Sequence, residues 1–143
     1  MTRESGRLAG ILLLVLPTVM YGGLTILTFL VNDPTYIQNQ LRQDLWRAGH
    51  AHAGVLLLLS LVALRYVDES ALSARSKWIV RTAIPSSAIL LLAGFFLSVV
   101  SPDAKQPNQL IYLCYIGAAV LALGIVLLGI GLVRRPQTPP NVS

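Results

Sequence analysis

Four long apolar runs, separated by short polar stretches, set the plan of this chain. They cover 8–31, 48–66, 79–100 and 110–133. A helix rises about 1.5 Å per residue, so the first run spans about 36 Å, enough to cross a bilayer with some tilt. The second run is the shortest and is expected to gain a turn at each end. The pattern predicts an all-α integral membrane protein, a four-transmembrane-helix up-and-down bundle. Short connections make consecutive helices antiparallel neighbours.

The polar stretches punctuate the runs. Arg3, Glu4 and Arg7 precede the first. A basic start followed by an apolar run also fits a signal peptide, but this run is too long and no small-residue cleavage signal follows it. Pro17 is expected to bend the first helix. Asn32-Asp33-Pro34 stops that helix. From Tyr36 to Leu45, the apolar Tyr36, Ile37, Leu41 and Leu45 alternate with polar residues. This predicts a short amphipathic helix lying at the interface, with Trp46 in the aromatic belt. Trp78 fits the same belt at the start of the third helix, and Arg81 is expected to snorkel towards water. In the fourth run Gly117, Gly124 and Gly131 recur every seven residues. That stripe predicts close helix packing. Arg134-Arg135 ends the helix, and 136–143 reads as a disordered tail.

Composition agrees with the pattern. The chain is 55% hydrophobic and only 12% charged, about half the charge of a soluble domain. Its natural partner is therefore the lipid bilayer. The net charge of +5 would suggest nucleic acid in a soluble protein. Here the basic residues bracket apolar runs, which points to membrane topology and to no nucleic-acid partner. Arg3, Arg7, Arg65, Arg75, Lys77, Arg81, Arg134 and Arg135 fall on one side, and Arg42, Arg47 and Lys105 on the other. This predicts a plasma-membrane protein with both termini cytoplasmic. One cysteine excludes an intrachain disulfide.

Candidate chemistry is confined to one stretch. No nucleotide loop, nucleophile motif or paired carboxylate is present, so no catalytic residue is assigned. No apolar run holds a carboxylate, which argues against a proton-coupled transporter. The stretch 45–55 carries the only two histidines, His50 and His52. Two residues apart on a helix, they point about 160° away from each other and do not share one metal. Gly49, Ala53, Leu56, Ser60 and Ala63 form a small-residue stripe. His52 lies about 60° from Gly49 and His50 about 100° away, so His52 is expected to face the bundle. There Tyr112, Tyr115 or a backbone carbonyl would bond it, while His50 turns to Arg47 and the interface. Asp44 is expected to cap the helix or to pair with Arg47. Cys114 lies at the same depth. A haem or metal ion would draw on His52 or His50 with Cys114, or on His52 from each of two copies. Three functions compete. The first is a non-catalytic accessory or scaffold subunit, assembled with other membrane subunits or with itself and holding no cofactor. The second is a haem- or metal-binding redox protein using His50 and His52. The third is a small membrane enzyme or carrier at the outer leaflet.

Overall fold

The computed structural model describes residues 1–134; the tail expected at 136–143 lies outside the described residues. Four long helices form the frame: α1 (Arg3–Asn32), α3 (Gln40–Val67), α4 (Ala74–Leu97) and α5 (Tyr112–Val133). All four are long and apolar enough to span a membrane. A short helix, α2 (Pro34–Ile37), follows α1, and one 3₁₀ turn (Gln109–Ile111) leads into α5. The described residues are thus all-α, a multi-pass helical bundle.

Local chemistry places the helix starts. Thr2 caps α1 by accepting from the Ser5 N–H at 3.3 Å. Asp33 caps α2 by accepting from Thr35 and Tyr36, with Pro34 supplying a first-turn residue that needs no donor. Ser73 caps α4 through Ser76.

The start of α3 departs from the sequence expectation. Residues 36–45 do not form one separate interfacial helix. One turn is α2, and α3 already begins at Gln40. The cap is Asn39, which accepts from the Arg42 N–H at 3.1 Å, and not Asp44. The Gln43 amide then donates to the carbonyls of Tyr36 and Ile37, tying α2 to the first turn of α3. Those bonds satisfy the end of α2 inside the protein, so the segment continues into the span. The Asn39 amide also donates to the Pro102 and Ala104 carbonyls at 3.0 Å, joining the two loops at this end.

Packing follows chain order: α1 rests on α3, α3 on α4, and α4 on α5, with a lighter contact between α3 and α5. The core near the terminal end centres on Ala63, Val67, Val80 and Ile84. The glycine stripe of α5 does what its spacing predicts. A Cβ on Gly117 would lie 3.0 Å from Leu91, one on Gly124 would lie 2.9 Å from Ile84, and Gly131 sits under Leu72. The α3 stripe of Gly49, Ala53, Leu56, Ser60 and Ala63 is buried throughout. In contrast, only 6% of the most apolar window of α1 is buried, against 39% for α3 and α4. Helix α1 is therefore the least enclosed part of the bundle.

Candidate functional site

The two histidines are positioned by how α3 is rotated. Gly49 presses on α4: a Cβ there would lie 2.8 Å from the Phe96 ring and 3.0 Å from Phe95. Helix α1 covers the flank that carries His50. The His50 ring lies against Gly22 and Gly23 of α1, where a Cβ on Gly23 would be 2.8 Å from Nε2. His50 is half-buried. It lines a cavity of about 130 Å³ with Thr18, Val19, Gly22 and Phe96. Neither ring nitrogen has a hydrogen-bond partner among the described residues.

His52 is exposed, which corrects the expectation that it faces the bundle. It does lie about 60° from Gly49 around the helix, but angle alone does not say which flank a neighbour covers. Its Nδ1 lies 2.7 Å from the Ala48 carbonyl. A carbonyl only accepts, so Nδ1 carries the proton and Nε2 keeps a free lone pair in the neutral ring. The ring rests against Phe95, with centroids 5.1 Å apart. Tyr112 and Tyr115 do not bond it; both are exposed and their rings meet each other at 6.1 Å. Cys114 turns to α4, with Sγ 3.6 Å from the Leu91 carbonyl. Among the described residues no three His, Cys, Asp or Glu side chains are grouped to hold a metal ion.

The expected Asp44–Arg47 pairing is present, at 3.9 Å and exposed. The stronger contacts are local: Arg47 donates to the Gln43 side chain at 2.7 Å, and Asp44 accepts from Gln40 at 2.7 Å. An exposed pair of this kind contributes little to stability.

Two charged constellations were missed in the sequence. Arg42, at the loop end, is buried rather than interfacial. Its guanidinium lies 4.5 Å from the Trp46 ring and its Nε donates to the Val99 carbonyl at 3.1 Å. The Tyr36 and Trp46 rings that it faces belong to a connected aromatic cluster with Phe29 and Phe96. Burial pushes the Tyr36 hydroxyl above its ordinary pKa, and that oxygen is buried without a hydrogen-bond partner among the described residues. The signal was available in the i, i+4 spacing of Arg42 and Trp46.

The second constellation lies at the terminal end. Arg81 is buried, not snorkelling. It donates to Asp68 at 2.6 Å, to Glu4 at 3.0 Å and to Ser5 Oγ at 2.9 Å. Asp68 also accepts from the Thr2 N–H and from the Ser5 hydroxyl. Burial alone would raise the Asp68 pKa. The hydrogen bonds from Thr2, Arg81 and Ser5 outweigh it and hold the carboxyl at about 2. This network joins the start of α1 to the α3–α4 connection and to α4. Sequence spacing could not show it, because the partners are 13 and 77 residues away.

The geometry can therefore bind, brace and seat helices, and among the described residues both nitrogens of His50 and the Nε2 of His52 join the Tyr36 hydroxyl in having no hydrogen-bond partner. The comparisons add no identity to this: no family model, no curated protein and no solved structure matches the chain.

Proposed function

We propose that this small multi-pass membrane protein is a non-catalytic accessory or scaffold subunit of a larger plasma-membrane assembly, with both termini cytoplasmic. One observation carries the reading: the carboxylates are committed to structure. Glu4 and Asp68 hold Arg81. Asp33 holds Thr35, Asp44 holds Gln40, Glu69 holds Arg65 and Asp103 holds Ser101. These are all six acidic residues of the chain. Glu4 and Asp103 also line open surface clefts, but each already holds a neighbour of its own chain there. An acid or base kept for chemistry would face the place of a substrate unpaired. The thin cover over α1 leaves an apolar helix available to a neighbouring protein in the plane of the bilayer.

Purification from native membranes into lipid nanodiscs, followed by mass measurement, tests the subunit role. Stoichiometric retention of a second membrane protein, or of a second copy, is the expected result. A lone monomer would remove it. The outward Nε2 of His52 favours one further reading, ligation of a haem or metal ion between two copies. A visible absorption band or bound metal that disappears in His52→Gln would establish that reading in place of the first.

The orientation rests on the terminal end carrying Arg3, Arg7, Arg65, Arg75, Lys77 and Arg134, against Arg47 and Lys105 exposed at the loop end. Ser73 and Ser101 are exposed at opposite ends. In intact cells a membrane-impermeant thiol reagent should label Ser101→Cys at once and Ser73→Cys only after permeabilisation. The reverse order would invert the topology.

A further inference from the structure

An apolar groove of about 350 Å³ runs between α1, α3 and α4, walled by Leu12, Val15, Leu57, Ser60, Pro85 and Ile89. Thr18, Val19, Ala53 and Leu92 line both this groove and the 130 Å³ cavity under His50, so the two are adjacent and share a wall. On α1 the lining runs from Leu8 to Gly22, about 21 Å along the helix. The polar groups along the way are already used: Thr18 donates to the Val15 carbonyl and Ser60 to the Leu56 carbonyl. The imidazole of His50 is the exception. It lies at the loop end of the groove with neither nitrogen bonded to the described protein. Gly22 and Gly23 make the room in which it lies.

We propose that this groove binds a neutral long-chain lipophile whose carbonyl or hydroxyl head hydrogen-bonds His50. Three observations select that occupant. First, a half-buried imidazole in an apolar wall is costly unless a partner reaches it. Second, the groove's length suits an extended chain, and its walls offer such a chain only apolar contact. Third, His50 lies four residues beyond Trp46 along α3, about 6 Å further from the polar loop end. A phosphate or carboxylate head would have to leave the interface to reach it, whereas a small neutral head would not. A membrane quinone and a long-chain alcohol share this chemistry. The inference goes beyond the subunit role and stands whether or not that role holds.

Binding is measured on the full chain in nanodiscs by thermal shift and by competition against a photoreactive, clickable decyl-quinone, with empty nanodiscs giving the partition background. The probes are decylubiquinone, dodecanol and dodecyl phosphate. Decylubiquinone is expected to bind above background and to label residues of α1 and α3. Dodecanol competing equally would point to any neutral head; failure of dodecanol to compete would point to the quinone type. His50→Leu should weaken binding about fivefold, the loss expected for one hydrogen bond, and His50→Gln should restore part of it. Val15→Trp, on the exposed wall far from His50, should block the groove while leaving the bundle folded. Unchanged binding in either His50→Leu or Val15→Trp, dodecyl phosphate binding as tightly as the neutral probes, or no binding above background would each overturn the proposal.

Discussion

Arg81→Ala is expected to destabilise the protein by about 3–5 kcal/mol, the usual cost of breaking a buried ion pair from one side. Arg81 and Asp68 are 8% and 9% exposed, so solvent offers little relief to the carboxylate left behind. The same substitution removes one of the bonds to the Ser5 hydroxyl and the partner of Glu4, and so loosens the start of α1 from the connection between α3 and α4. Thermal unfolding in nanodiscs measures it, with the exposed Arg3→Ala as the control. A loss no larger than the control's would show that the network does not brace α1. The paired substitution Arg81→Met with Asp68→Leu should recover much of the loss, because no buried charge is then left unpaired and the exposed Glu4 is solvated. Acid titration gives an independent readout. The Asp68 carboxyl is lowered from 3.8 to about 2, burial opposing and the bonds from Thr2, Arg81 and Ser5 prevailing. A depressed folded value stabilises the folded protein above the unfolded pKa and is lost as pH falls through the folded one. The wild-type loss therefore falls between pH 3.8 and about 2. In Arg81→Ala the lower edge of that window should rise towards 3.8 and the contribution shrink, since burial persists and one of the opposing bonds is gone.

The second large effect is a difference of sign among glycines. Gly129 has nothing within 4 Å of an added Cβ. Gly129→Ala should stabilise by up to about 1 kcal/mol, because alanine is the better helix former. At Gly94 the added Cβ would lie 2.5 Å from the Cys114 Sγ and 2.9 Å from the Cys114 backbone nitrogen. A side chain can turn away, but backbone moves only if α4 and α5 separate. Gly94→Ala should therefore destabilise by about 1–3 kcal/mol despite its better propensity. Adding Cys114→Ala removes the sulfur and leaves the backbone clash, so it should rescue only part of the loss. Gly131→Ala meets only the Leu72 side chain and should cost less than Gly94→Ala. Denaturation midpoints on all four proteins in one lipid would rank them. A Gly94→Ala protein as stable as wild type would mean that α4 and α5 are not held at this distance.

Much of this was legible in the sequence because it depends on period and composition alone. Four apolar runs of spanning length force helices in a bilayer, where each backbone group must be satisfied within its own segment. The sevenfold spacing of Gly117, Gly124 and Gly131 places them on one face whatever that face meets. The burial of Gly49, Ala53, Leu56, Ser60 and Ala63 follows from the same geometry. The helix start at Gln40 was less legible, because it rests on Gln43 reaching back to carbonyls of α2.

The histidines and the buried arginines mark where reading along the chain ends. Helical angles fix His50 and His52 relative to Gly49, but α1 could cover either flank of α3, and only its packing on the His50 side decides which ring is enclosed. Likewise, Arg81 near a helix start reads as a snorkelling cation until Asp68 and Glu4 are brought to it from other segments. Periodicity is local and survives in the sequence. The partner of a polar group is a contact between distant segments, and its free energy depends on how the helices are arranged in space.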